Sequence, residues 1–368
     1  MENSAHGENT EVTDSIVGRH RLANHHIGSA PFATPGDVVR WMGLVQAQDY
    51  LGALWAIGVR MHNATEDGIE GALADRSIVR TWPARGTLHF VAAEDVRWML
   101  ELLTPRAVAR AAGRYRQLDL DDAIFARSRQ LFIHALQGGK RLSRPALYQV
   151  LESAHISTAG QRGIHILARL AQEGLICFGT RAGKQQTFTL LAEWVPAAES
   201  KTRDEALAEL TRRYFTSHGP ATLQDFVWWS GLASSDARAG LDMAKPHLAR
   251  EALAGQTYWL AYSAPAALKA SPAAHLLPGF DEYLVGYTDR AAVLPRAYTK
   301  QVNAGGGMLG PIIVIDGQVA GTWKRTLKKE AVAITPSWFT EPGRSQERAF
   351  AAAALRYGAF LKLPVLTA

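Results

Sequence analysis

The 368-residue chain carries a single cysteine, Cys177, set in the apolar run LICFG. One thiol excludes disulfides within the chain and any metal site built from several thiolates, and it fits a reducing cytoplasm. No apolar run approaches the roughly 20 residues that a helix needs to cross a bilayer. The polar start MENSAHGENTEVTD has no signal-peptide core. The expectation is a soluble protein, not secreted by that route. His-Glu-x-x-His and Cys-x-x-Cys spacings are missing; His25 and His26 are adjacent near the start of the folded region, without further ligands at metal spacing. The tract GGGMLG lacks the Lys-Ser/Thr of a phosphate loop and opens no helix, so it reads as a flexible loop. There is no Gly-x-Ser-x-Gly, and Cys177 has no histidine partner by local signature. Neither a metal nor a cofactor is expected.

What is present is an ordinary globular composition, 47% hydrophobic and 20% charged. A chain of this length should hold two or three compact units, since single cores stop growing at roughly 250–300 residues. Lys and Arg outnumber Asp and Glu by 40 to 34, a net +6. That excess favours a polyanionic partner without requiring one. The placement is more telling: Arg106, Arg110 and Arg114 lie four apart, on one helical face, and WKRTLKK clusters Lys324, Arg325, Lys328 and Lys329. Each cluster reads either as a solvated basic face or as a phosphate-tracking surface.

Three segments share an order of two short helices followed by a strand pair. In the first, TPGDVVRWMGLVQAQ reads as a helix with Pro35 near its first turn, DYLGALWAIGVRM as a second helix with Asp49 as its cap, and EDGIEGALADR as a further helical stretch. SIVRTW and GTLHFV, separated by PAR with Gly86 following, read as a hairpin. In the second segment Ser143 and Pro145 start one helix and Gly174 ends the next, and LICFGT and QQTFTLL flank RAGK as strand, wing and strand. The third has TRDEALAELTRRYFTSHG with a Gly-Pro stop, two more helices, and QTYWLAY as a strand. From about residue 275 the order changes. A turn-rich stretch, HLLPGFDEYLVGYTDR, leads to β-rich runs joined at Asp316-Gly317, a strong hairpin signal, and to an amphipathic helix in SQERAFAAAALRYGAFL. The expected fold is α+β: three tandem winged-helix motifs plus a C-terminal β-rich module with a final helix. The expected boundaries are a disordered tail at 1–14, winged helix 1 with following helices at 15–135, winged helix 2 at 136–200, winged helix 3 at 201–268, and the β-rich module at 269–368. Such motifs place a helix in or across a DNA groove while the wing touches backbone or minor groove, although they also serve as plain scaffold.

In GLVQAQDYLGALW two neutral amides, Gln46 and Gln48, interrupt an apolar helix-like run. Residues two apart on a helix point to nearly opposite sides, whereas in extended backbone they share a side. A cap at Asp49 implies a break just before it, letting both amides project into one cleft. Alternatively, each amide satisfies backbone groups at a helix junction. His89, in GTLHFV, faces either core or DNA. Asp281 and Glu282, in LPGFDEYLVGY, read first as a capped turn packed on tyrosines.

GLVQAQDYLGALW, TWPARGTLHF, GPATLQDFVWWSGL, LLPGFDEYLVGYTDR and VIDGQVAGTWKR occur in this order over nearly the whole chain. Together they resemble the AlkZ-like and YcaQ-like winged-helix DNA glycosylases. The resemblance implies three winged helices in a C-shaped arrangement around a basic concave face, and a catalytic motif that is Gln-Φ-Gln in the AlkZ-like branch and Gln-Φ-Asp in the other. Gln46-Ala47-Gln48 places this chain nearer the AlkZ-like side, which includes enzymes that remove bulky N7-alkylguanines or unhook interstrand crosslinks.

Neutral amides suit that chemistry. Alkylation at guanine N7 makes the base cationic and a good leaving group, so what remains is to position water at C1′ and to stabilise an oxocarbenium-like sugar by dipole. A glutamine is no general base, so the site should spare normal purines. The expectation is thus a monofunctional glycosylase with Gln46 and Gln48 catalytic and Arg80, Arg85, His89, Lys324 and Arg325 contacting DNA. Its partner is double-stranded DNA carrying alkylated guanine, with no membrane, as a monomer in the cytoplasm at the nucleoid. The alternative is a non-catalytic tandem winged-helix DNA-binding regulator.

Overall fold

Helix starts follow the local chemistry expected of them. The structure, a computed structural model, describes residues 15–253, 255–262, 273–303, 305 and 307–367. The expected tail at 1–14 lies outside these residues, as do Ala304 and Gly306 of the glycine tract. Helix α1 spans residues 15–24. Helix α2 (Pro35–Met42) is capped by Thr34, whose hydroxyl accepts the Asp37 N–H at 3.2 Å, and it ends at Gly43, which takes a positive φ of 75°. A short extended piece, β1 (Val45–Gln46), then leads to α3 (Tyr50–Gly58) and α4 (Glu66–Ala74). Strands β2 (Ile78–Ala84) and β3 (Thr87–Ala92) pair antiparallel around Arg85-Gly86, both at positive φ (53° and 72°). The strand thus runs on through Pro83 and Ala84, with a register shift between Thr81 and Ala84, and the turn is two residues long, not the longer PAR loop.

Next come α5 (Val96–Gln117), α6 (Asp122–Leu136), β4 (Leu142–Ser143), α7 (Arg144–Ser153), α8 (Arg162–Gln172), β5 (Ile176–Phe178), β6 (Thr187–Leu190) and the short α9 (Leu191–Trp194). Ser143 caps α7, and Gly174, φ 72°, follows α8. The sheet order is β4-β6-β5. Ile166, Leu167 and Leu170 on α8 are fully buried at helical spacing against Phe132, Leu147, Leu151 and Phe188. Each such side chain contributes roughly 1.5–3 kcal/mol.

Helix α10 (Arg203–His218) stops before Gly219-Pro220, followed by α11 (Leu223–Ser230) and α12 (Ser234–Ala244). The hairpin β7 (Leu248–Leu253) and β8 (Gln256–Ala261) contains a strand, LAREAL, whose charged residues do not read as one. Beyond it lie β9 (Ala274–Leu277), α13 (Glu282–Val285), α14 (Thr299–Val302), β10 (Ile312–Ile315), β11 (Gln318–Leu327), β12 (Val332–Trp338), α15 (Arg344–Leu361) and β13 (Val365–Thr367). The five strands order as β13-β12-β11-β10-β9, antiparallel except for β12 with β13. As the sequence signals, β10 turns into β11 at Asp316-Gly317, at φ 51° and 79°.

The chain divides into two compact units. One comprises residues up to 69, 208–229 and from 233 on; the other comprises 70–207 with 230–232. In the first, α3 is fastened to the C-terminal sheet. The Trp55 indole donates to the Leu276 carbonyl at 2.6 Å and packs on Tyr357 and Phe360 of α15 at ring distances of 5.0 and 4.9 Å. The core there includes Leu22, Ile27, Leu277, Tyr283, Ile312 and Val314. Among the described residues, no helix is long and apolar enough to cross a membrane.

Candidate active site

The break before Asp49 is present: Gln46, Ala47 and Gln48 lie in non-helical backbone between α2 and α3. Burial alternates along it. Gln46 is half-buried, Ala47 is 0% exposed, and Gln48 is exposed. The Ala47 methyl group is thus enclosed while the amides on either side of it keep access to solvent. Asp49 occupies the cap position of α3, but its carboxyl makes no capping bond; it lies instead over Gly52, where an added Cβ would stand 2.5 Å from Oδ2.

Behind this segment stands a buried polar cluster drawn from distant parts of the same unit. Glu282 is 1% exposed on α13. Its Oε1 accepts the backbone N–H of Gln46 at 2.8 Å, and its Oε2 accepts the indole N–H of Trp229 at 3.0 Å. Oε2 also lies 3.6 Å from Nε2 of His218, whose Nδ1 meets the Ser217 hydroxyl at 2.8 Å. Burial pushes His218 below the ordinary histidine value although Glu282 pulls it up, so its ring is neutral near pH 7. The neighbouring Asp281 caps α13 by accepting the Tyr283 N–H at 2.9 Å, the capped turn among tyrosines that its sequence suggests. It also receives both terminal nitrogens of Arg60, at 2.8 and 2.9 Å. Arg60 follows α3 and further donates to the Ala56 carbonyl at 2.6 Å, with His25 Nδ1 at 3.1 Å. Arg21 lies 3.6 Å above the Tyr287 ring and 4.0 Å from Asp225. The two long-range pairings have no local signal: Glu282 and Gln46 are 236 residues apart, and Asp281 and Arg60 are 221 apart.

The basic candidates separate by burial. His89 is 0% exposed, with Nδ1 3.0 Å from the Thr87 carbonyl and Nε2 3.4 Å from Arg85, so of its two readings the inward one holds. Arg80 is 5% exposed, its guanidinium 4.6 Å over the Phe178 ring. Both side chains, expected at the DNA surface, are buried in the structure. The reason is the hairpin itself: β2 is buried at every position and β3 at all but Thr87, which leaves Arg85, in the turn, as the half-exposed cation. On β11, Lys324 is exposed, whereas Arg325 turns to the opposite face and bonds the Tyr357 hydroxyl of α15. Lys328 and Lys329 follow in the exposed β11–β12 turn. Arg106, Arg110 and Arg114 are all exposed on α5.

The comparisons with known proteins bear on the whole chain. The family model described as DNA glycosylase AlkZ-like matches residues 39–360. An interstrand DNA cross-link repair glycosylase from Streptomyces sahachiroi is 28% identical over an alignment of 357 positions that covers 89% of this chain and 92% of that protein. The solved structure of the Streptomyces sahachiroi DNA glycosylase AlkZ superposes with a TM-score of 0.80 at 23% identity, covering 96% of this chain and 99% of that one. It shares the fold. With a family model spanning all but the ends, this chain belongs to the AlkZ-like DNA glycosylases.

Proposed function

We propose that this enzyme hydrolyses the N-glycosidic bond of cationic N7-alkylguanine in duplex DNA, and that its substrates extend to bulky adducts and interstrand crosslinks, in keeping with the name of its Streptomyces relative. The observation that carries the reading is the Gln46-Ala47-Gln48 segment: two uncharged amides in non-helical backbone, one half-buried and one exposed, either side of a fully buried alanine. Carboxamide oxygens orient a water and favour positive charge on the sugar without removing a proton. Only a base that already carries positive charge leaves readily under those conditions, so selectivity for alkylated over normal purines is built into the choice of glutamine.

In this proposal residues 15–135, 136–200 and 201–268 act as winged helices, with 269–368 as the β-rich module. The exposed Lys324, Lys328 and Lys329, with Arg85 and the α5 arginines, hold phosphates. The test is release of base from a duplex containing one N7-methylguanine, followed by alkaline cleavage at the abasic site. Gln46→Ala and Gln48→Ala each lower the single-turnover rate at least about a hundredfold, the range for losing one preorganised dipole, with duplex affinity nearly unchanged. Full activity in both variants overturns the assignment.

A further inference from the structure

Glu282 is a costly thing to bury. A carboxylate 1% exposed is tolerated where its oxygens are satisfied and the charge has a task. Its two oxygens are committed to different jobs. Oε1 takes the backbone N–H of Gln46 itself, at 2.8 Å, and Oε2 takes the indole of Trp229, at 3.0 Å. The indole fixes the plane of the carboxylate, and the carboxylate fixes the strand that presents the first glutamine. Trp229 is itself 0% exposed and stands 3.4 Å from where a Cβ on Gly43 would lie, three residues ahead of Gln46. The adjacent Asp281 clamps Arg60 at the far end of α3. Two consecutive acidic residues therefore hold both sides of the stretch that runs from Gln46 through α3.

We propose that Glu282 is a positioning residue for base excision: through the Gln46 backbone N–H it sets where the Gln46 amide stands relative to the sugar, and Trp229 holds Glu282 in the orientation this requires. The inference rests on Gln46 being catalytic. A charge-assisted hydrogen bond to a backbone N–H is short and directional, so it constrains the strand more tightly than a neutral acceptor does. Misplacing a reacting group by about 1 Å lowers rates on the order of a hundredfold. Exchanging carboxylate for carboxamide keeps the shape of the side chain but turns one acceptor into a donor, which then faces either the Gln46 N–H or the Trp229 N–H. The strand shifts, and the site loses rate without losing DNA.

The experiment compares Glu282→Gln, Trp229→Phe and Gln46→Ala with the wild-type full chain on a duplex bearing one N7-methylguanine, measuring the single-turnover rate at saturation and the duplex dissociation constant separately, on protein shown folded by circular dichroism. Expected are a ten- to hundredfold slower rate for Glu282→Gln and a smaller loss, about three- to tenfold, for Trp229→Phe, with dissociation constants within twofold of wild type. A merely structural role would lower the activity and weaken duplex binding together, in proportion to the folded fraction, and that outcome overturns the proposal. So does wild-type rate in a folded Glu282→Gln. Should Glu282→Gln not fold, Trp229→Phe decides in the same way. If Gln46→Ala is inactive while both other variants keep wild-type rate, this inference alone fails; if Gln46→Ala is fully active, the catalytic reading beneath it fails.

Discussion

The pair formed by Arg60 and Asp281 permits a quantitative test of how the site is held. Both side chains are 1% exposed, and two parallel hydrogen bonds join them. Replacing Asp281 with Asn keeps a side-chain oxygen to cap α13 but leaves a guanidinium buried without a counter-charge. Replacing Arg60 with Met leaves the carboxylate with the Tyr283 N–H and no cation. Removing one partner of such a pair costs about 3–5 kcal/mol, a large part of the roughly 5–15 kcal/mol that holds a protein folded. The double variant buries no unpaired charge. What it loses is the Arg60 bonds to the Ala56 carbonyl and to His25, about 2 kcal/mol together. Independent effects would sum to about 6–10 kcal/mol, so the coupling between the sites is about 4 kcal/mol or more. Urea unfolding followed by tryptophan fluorescence and far-UV circular dichroism measures all four corners of the cycle. If the single variants each lie within about 1 kcal/mol of wild type, the range of exposed ion pairs, or if their effects simply add, the reasoning is wrong.

Acidification should weaken the fold. Burial holds His25, His218 and His275 below the ordinary histidine value, His275 at about 4. The unfolded chain takes up protons first as pH falls below about 6.5, so stability is intact above that point and declines toward pH 4. The His275 share is about 3 kcal/mol. Urea midpoints that stay flat from pH 7 to 4.5 contradict this, and His275→Gln should make the decline shallower. Replacing Lys324, Lys328 or Lys329 with Ala should reduce the salt dependence of duplex binding by about 0.9 in slope for each phosphate no longer neutralised, while excision at saturating DNA keeps its rate; slopes that do not change remove the β11–β12 turn from the DNA surface. Ala47→Leu should slow excision, because the inward methyl has no room to grow and overpacking shifts backbone at about 1–3 kcal/mol. Burial pushes the Cys177 thiol up and encloses it, so a thiol reagent should label the native protein only at the rate of unfolding.

Much of the local architecture is legible in the sequence because its causes are local. Pro35 and Ser143-Pro145 start helices, Gly174 stops one, and Asp316-Gly317 makes its hairpin, since each depends on a few neighbouring dihedral angles; the helix expected through TPGDVVRWMGLVQAQ instead ends at Met42, where Gly43 takes a positive φ. The break before Asp49 follows from the same kind of signal, and it brings the two glutamines out of the helix. Reach across the chain is not legible. Nothing near Gln46 announces Glu282, and nothing near Arg60 announces Asp281. Strand alternation sends Arg325 toward Tyr357 while Lys324 stays in solvent, yet neighbouring cations in a sequence look alike. His89 and Arg80 reside in a hairpin buried on both faces, where a polar residue does not imply a wet surface. Helix α1 contributes Arg21 and Asn24, which resemble surface residues until their distant partners, the Pro220 and Gly219 carbonyls, are in place.

That reach has a consequence for synthesis on the ribosome. The glutamines emerge early, but the carbonyl that receives Trp55 and the carboxylate that grips Gln46 are translated more than two hundred residues later. At roughly 5–20 residues per second, a nascent chain waits ten seconds or more before the Gln46 stretch can be braced. A polypeptide released before residue 282 lacks that brace altogether, so under the catalytic role proposed for Gln46 such products should excise no base.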